Sequence, residues 1–180
     1  KHDLVVAVID TQVSHSHAHG GYGSRRTSCE VGAKQLGVAS LRELSLSDLP
    51  RAQSQLDDET YRRVRHVVTE NQRVLDTLFA LREGNLASLG RLLLESHASM
   101  RDDFEISVAE LDLAVETAMA TGAIGARMTG GGFGGAAIAI IHKDKLPQLE
   151  ANCLAAFAKA GFKEPRVFSV TPSEGAKREF

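Results

Sequence analysis

Between Met128 and Ala136 the chain reads Met-Thr-Gly-Gly-Gly-Phe-Gly-Gly-Ala, five glycines in the six residues from Gly130 to Gly135. Glycine loses more backbone entropy on folding than any other residue, so such a run needs a structural reason. Positive φ angles, or a close approach of backbone to a ligand or to another segment, would supply one. The flanks choose among glycine-rich loops. Gly130, Gly132 and Gly135 satisfy G-x-G-x-x-G, but the dinucleotide fingerprint needs a strand before it and a helix after it, because the phosphate rests on the helix N-terminus. Here Ala136 to His142 is a short apolar run that reads as a strand. No acidic partner follows at the distance a βαβ unit requires, and no Gly-Lys-Ser/Thr is present to make a Walker A loop. What remains is a glycine loop between two strands, Gly125 to Thr129 and Ala136 to His142. Successive amides in such a loop can form an anion-binding nest without any helix. A tight strand-to-strand turn with no ligand satisfies the same residues.

The rest of the chain frames this loop. Leu4 to Ile9 is almost wholly apolar and reads as a buried strand, followed by a polar loop from Ser14 to Gly23. Ser24 is a candidate cap for a helix marked by Cys29, Ala33 and Leu36 and stopped by Gly37. Ala39 to Gln55 is less regular and is expected to hold a short helix and loops, broken by Pro50. Asp57 or Asp58 caps a long helix to about Arg82, whose stripe is Tyr61, Val64, Val67, Val68, Leu75 and Leu78. Asn85 caps the next, with Leu86, Leu89, Leu92 and Leu93 inward. Ser107 and Glu110 form a capping-box pattern for a third helix ending at Gly122. After the glycine loop and its strand, a helix from about Leu146 to Ala160 carries Leu149, Cys153, Leu154 and Phe157 on one face. Pro147 suits its first turn and Gly161 its end. Arg166 to Val170 is the last strand. Strands at both ends with helices between predict an α+β domain, an antiparallel sheet covered on one face, with successive helices packed as an antiparallel layer.

Composition excludes several classes of function. The net charge of −2 offers no basic field for a phosphate backbone, so a nucleic-acid partner is disfavoured. The longest apolar run, Ala136 to Ile141, is too short to span a bilayer, and Lys1 to Asp10 does not read as a signal peptide. Cys29 and Cys153 are the only cysteines and form no CxxC pair, which points to a reducing compartment, the cytoplasm. The chain opens on Lys1 and enters an apolar strand almost at once. We therefore expect it to begin partway into a larger protein.

Met128 to Gly135, preceded by Gly-Ala-Ile-Gly-Ala-Arg, resembles the third signature motif of the GHMP kinases, in the form that galactokinases carry. Further segments agree in order along nearly all 180 residues. Arg65 to Arg73 (RHVVTENQR) resembles the family's "RxxHVVxENxR" helix. Glu95 to Ser107 (ESHASMRDDFEIS) resembles its "ESHxSLRDDFxVS" segment, with Glu110-Leu111-Asp112 in register. Gly21 to Glu30 (GYGSRRTSCE) resembles its "YxxRRxxCE" helix entry. The resemblance implies the ferredoxin-like carboxy-terminal domain of such kinases over residues 1–180, with an inserted helical layer. It also implies an activity, transfer of the ATP γ-phosphoryl group, with Mg2+, to the C1 hydroxyl of galactose.

On motif match it assigns Thr129, Gly130, Gly131, Gly132, Phe133, Gly134 and Gly135 to the loop beside the phosphates and the sugar, and Tyr22 to sugar contact. The family's first motif, its phosphate-binding second motif and its catalytic Asp and Arg all precede this segment, and none is found in this chain. Phosphoryl transfer depends on positioning and charge stabilisation by phosphate and metal ligands. No catalytic residue and no metal ligand is therefore assigned here. The chain is expected to be inactive without an amino-terminal, ATP-binding half. A stand-alone sugar- or partner-binding module, or another GHMP small-molecule kinase, is the alternative reading.

Other polar clusters have plainer readings. His15, His17 and His19 alternate and could face one way as metal ligands, but lack a clear fourth; a polar surface loop is the preferred reading. His97, beside Ser96 and Ser99, has no orienting acid evident in the sequence and is read as packing and hydrogen bonding. Glu70, Asn71 and Arg73 read as solvated or capping. Arg25 and Arg26 could hold a phosphate or pair with Glu30 at helical spacing; the ion pair is preferred.

Overall fold

A computed structural model describes residues 3–13, 18–171, 173–175 and 177–178, without the side chains of 18–20. Four strands, β1 (Leu4–Asp10), β2 (Gly125–Thr129), β3 (Ala136–His142) and β4 (Arg166–Val170), form one sheet in the order β2-β3-β1-β4. Every neighbouring pair is antiparallel, with Ala7 opposite Ala139 and Ser169, and Ala126 opposite Ala139. With α5 (Ala109–Ala120) before the β2–β3 hairpin and α6 (Leu146–Ala160) after it, this is the ferredoxin-like arrangement. The expected α+β class holds.

Strand alternation decides which face closes. Ala7, Ile9, Ala126, Met128, Ala137, Ala139 and Ile141 are fully buried and share one core with Leu111, Ala114 and Ala118 of α5 and Leu149, Cys153 and Phe157 of α6. On the opposite face Val6, Val8, Ile138 and Ile140 are only half-buried, and Phe168 and Val170 are exposed. Gly161, left-handed at φ 73°, ends α6 as the sequence suggests.

The remaining helices are inserted between β1 and α5. They are α1 (Ala18–Gln35), α2 (Leu49–Gln55), α3 (Asp58–Arg82) and α4 (Leu86–Asp102). Asp57 caps α3 by accepting from the Thr60 amide, and Asn85 caps α4 by accepting from the Ser88 amide, both as expected. A second core joins Ala33 of α1 and Leu36, just past its end, to Leu41, Leu44, Ala52 and Leu56, and to Tyr61, Val64 and Val68 of α3.

Several local expectations fail for identifiable reasons. α1 starts at Ala18, so Ser24 lies inside the helix and caps nothing; residues 18–23, expected as loop, are helical because Gly21 serves packing rather than a turn. Pro50 does not break a helix but occupies the first turn of α2. The capping box at Ser107 and Glu110 does not form. Val108 occupies the cap position, and the Ser107 hydroxyl donates instead to Asp112 Oδ1 at 2.6 Å. Leu75 and Leu78, expected in the inward stripe of α3, are 60% and 46% exposed.

Candidate functional site

The glycine loop crosses from β2 to β3 with an unusual backbone. Gly130, Gly132, Gly134 and Gly135 have φ of 87°, 84°, 133° and 87°, and Phe133 among them has φ 61°. L-residues avoid this region, so glycine density here follows from conformation. Gly132 is constrained twice, since a Cβ added there would lie 2.6 Å from the Ile106 carbonyl oxygen. The second half of the loop is tied at two points. The Phe133 amide donates to the Ile106 carbonyl at 2.7 Å. The buried Thr11, just past β1, donates both its amide and its hydroxyl to the Gly135 carbonyl, at 3.0 and 2.7 Å. Ahead of both ties Gly130 and Gly131 are exposed, and their amides have no hydrogen-bond partner among the described residues.

α1 brings Tyr22 to this loop. A Cβ on Gly21 would fall 2.4 Å from Cζ of Phe133, so only glycine lets the helix approach the aromatic ring this closely. Tyr22, the next residue, is 65% exposed. The two groups assigned from the sequence, Tyr22 and Thr129 to Gly135, are thus at one end of the molecule. His15 and His17 lie outside the described residues, as does the side chain of His19.

Behind the loop lies a set of charged residues that the sequence reading missed. Glu105, a non-glycine at φ 52°, sits in the turn between α4 and α5. Arg25 of α1 donates to the carbonyls of Phe104 and Glu105, the latter at 3.1 Å, and lies 5.9 Å from the Phe133 ring centroid. Arg62 and Arg63 of α3 both pair with the Glu105 carboxylate, Arg63 at 2.6 Å. Arg63 is 1% exposed and also donates to the Asp103 carbonyl. Hydrogen bonds from Arg63, then Arg62, hold the Glu105 carboxyl below the usual range. The next residue, Ile106, supplies the carbonyl that holds Phe133. A chain of contacts therefore runs from α3 through Glu105 to the glycine loop. One sequence signal pointed there: Arg63 falls between Thr60, Tyr61 and Val64 on the buried side of α3, where an arginine needs a partner.

The preferred pairing of Arg26 with Glu30 is present at 2.9 Å, exposed, whereas Arg25 pairs not with Glu30 but with the Glu105 carboxylate, 3.7 Å away. His97 packs and hydrogen-bonds as expected. Its Nδ1 accepts from the Met128 amide at 3.2 Å and its Nε2 lies 3.2 Å from Asp112. Burial lowers the His97 pKa. His66 Nδ1 lies 3.0 Å from the Ser99 hydroxyl, which itself donates to Asp103; the ring stacks on Phe104 at 4.3 Å. Burial pushes the His66 pKa down to about 4. Glu70 and Arg73 are not the solvated residues expected. Glu70 accepts from Ser96 at 2.6 Å and from Arg73, with Arg127 of β2 3.8 Å away.

Loop and tyrosine can present neutral amides and a phenol to a polar ligand. Among the described residues no group of three His, Cys, Asp or Glu could hold a metal ion. No helix among them is long and apolar enough to cross a membrane.

This fold and this loop define a class, and comparison with known proteins agrees: the chain is similar to the carboxy-terminal part of GHMP kinases. The family description "GHMP kinases C terminal" matches residues 78–159. Within that class the chain is similar to galactokinases. It is 51% identical over 173 residues to the galactokinase of Streptomyces coelicolor, covering 95% of this chain and 45% of that protein. It is 44% identical over 174 residues to the galactokinase of Mycobacterium tuberculosis, covering 97% and 48%. The chain thus spans about half the length of the curated relatives it matches. The crystal structure of Lactococcus lactis galactokinase complexed with galactose superposes with a TM-score of 0.88 at 31% identity, over 93% of this chain and 45% of that one. L. major mevalonate kinase, at 21% identity and a TM-score of 0.53, shares the fold.

Proposed function

We propose that this chain is the sugar-side half of a galactokinase, in which the γ-phosphoryl group of ATP passes, with Mg2+, to the C1 hydroxyl of galactose. The observation that carries the reading is the seating of Gly21 on Phe133, which sets Tyr22 beside a glycine loop whose outer amides are free. In this reading Tyr22 contacts the sugar, and Gly130 and Gly131 offer amides to a phosphate oxygen. Thr129 and Gly132 to Gly135 hold the loop in shape.

ATP supplies the phosphoryl group when bound, and the neutral loop fits a phosphate oxygen but supplies no charge. Stabilising the transferring group requires cations and metal ligands, and the described residues provide no metal site. We place these in the roughly half of the relatives' length that lies outside this chain. The half-open sheet face of Val6, Val8, Ile138 and Ile140, with Phe168 and Val170 exposed beside it, is the apolar surface on which that half would pack. The two free thiols fit a reducing cytoplasm. A stand-alone module is less favoured, because the identity to galactokinases runs over nearly the whole chain.

The test is galactose-dependent ADP release, measured on the 180 residues and on a version extended upstream through the first and second family motifs. Turnover only in the extended protein is the expected result. Turnover in the 180 residues alone would overturn the division of labour and direct attention to Asp10, Asp102 and Asp103.

A further inference from the structure

A groove of about 530 Å3 opens between α1, α3 and the turn at residues 39–42. It is separate from the glycine loop, since Cys29 lies eight residues along α1 from Gly21, about 12 Å at helical rise. Its volume falls within the range of small-molecule sites. Cys29, Ala33, Val38 and Val67 give it an apolar floor. Lys34 and Arg42 stand at its rim, and neither side chain has an acidic or hydrogen-bonding partner among the described residues. Arg26, also in the lining, is already neutralised by Glu30 at 2.9 Å. The rim therefore carries two uncompensated positive charges above an apolar floor.

We propose that this groove binds a small amphipathic anion, its apolar body lying along Ala33, Val38 and Val67 and its carboxylate or phosphate head between Lys34 and Arg42. The site goes beyond the kinase reading and does not depend on it.

Cys29 provides a reporter on the floor. Burial raises its thiol pKa, so labelling belongs at mildly alkaline pH. Cys153 is fully buried with its thiol pushed up to about 11 and serves as a silent control on the fold. The experiment follows alkylation of Cys29 by iodoacetamide, peptide by peptide in a mass spectrometer, with sodium octanoate as the probe anion and octylamine as its cationic counterpart. Octanoate should slow Cys29 alkylation saturably, about fivefold at a concentration roughly four times its dissociation constant. Octylamine should not. The double variant K34A/R42A changes two exposed side chains and should keep the unliganded rate while losing the protection. Absence of saturable protection, equal protection by octylamine, or protection surviving in K34A/R42A would each overturn the proposal.

Discussion

The two halves of α3 carry similar apolar content and meet opposite fates. From Asp58 to Glu70 the helix is locked: Tyr61, Val64 and Val68 lie in a core, and Arg62, Arg63 and His66 reach the α4 end and the turn after it. From Val74 to Leu81 it is bare except at the buried Ala80, with Val74 and Phe79 each 67% exposed and Leu81 57%. Phe79 lies sixteen residues beyond Arg63, about 24 Å along the helix axis. The glycine-loop end is thus packed within this chain, whereas the far end presents apolar side chains that no described residue covers. A run of exposed apolar residues of this kind marks an interaction surface rather than a folding defect. The comparison predicts that changes in the near half alter stability and changes in the far half alter association.

The largest effect should come from Arg63. Replacing it by methionine keeps length and apolar stem but removes the charge facing Glu105 and the donor to the Asp103 carbonyl. Deleting one partner of a fully buried ion pair costs about 3–5 kcal/mol; with Glu105 40% exposed and still held by Arg62, the loss here should lie at the low end of that range. Urea unfolding followed by circular dichroism reads this as a lower midpoint with unchanged slope. A midpoint equal to that of the parent chain would mean that Arg63 is not the tie described.

Acid should act on the same half next. His66 has a folded pKa lowered by burial to about 4, against an ordinary value of 6.5. The unfolded chain then binds the proton more readily than the folded one. Its contribution to stability is complete above the unfolded pKa and is lost as pH falls from about 6.5 toward 4. The loss is roughly 3 kcal/mol at about 1.4 kcal/mol per unit. His97, lowered in the same direction, steepens the trend, whereas Glu105, its carboxyl held below an ordinary value of 4.5, adds its loss only below that pH. Unfolding midpoints between pH 7 and 4.5 measure it, and a His66→Gln variant should flatten the curve. An equally steep curve in that variant would assign the acid sensitivity elsewhere.

Gly132→Ala should weaken the link from this half to the loop. The new methyl meets the Ile106 carbonyl at a residue already in the left-handed region, which costs about 1–3 kcal/mol if the loop stays in place. Hydrogen exchange at the Phe133 amide, held by Ile106 at 2.7 Å, should quicken. Unchanged protection of that amide would show that the loop is held independently of Gly132.

How much of this was legible beforehand follows from the kind of signal each feature leaves. β2, β3 and β4 could be read to the residue because short apolar runs between glycines and charged turns admit few alternatives. The caps at Asp57 and Asn85 could be read because capping is a local hydrogen bond. The start of α1 could not: Gly20, Gly21 and Gly23 look like loop residues, and what keeps Gly21 in a helix is Phe133, over a hundred positions away. Glu105 was invisible for the same reason, since its partners Arg25, Arg62 and Arg63 come from two other helices. Leu75 and Leu78 show the converse limit. Periodicity gives a helix an apolar stripe, but whether the stripe meets a partner in the same chain is a tertiary fact. The candidate site residues were assigned through motif resemblance, and the sequence pattern of the loop alone left an anion nest and an empty turn equally open.

The smallest effect on stability, and the sharpest on the comparison, belongs to the far half. Leu75→Ser with Phe79→Ser replaces side chains that are already 60% and 67% exposed, so unfolding midpoints should move by no more than about 0.5 kcal/mol in either direction. The same double change should reduce the binding of a hydrophobic-surface dye and any concentration-dependent self-association seen by light scattering, because it removes the one aromatic ring of the stripe and the most exposed of its three leucines. Phe168→Ser, on the open face of the sheet, separates the two bare surfaces. If it lowers dye binding while the α3 double variant does not, the sheet face is the adhesive one and the stripe on α3 is only apolar. A large loss of stability from the α3 changes would mean that the far half is packed within this chain after all, and the contrast between the two halves of the helix would fail.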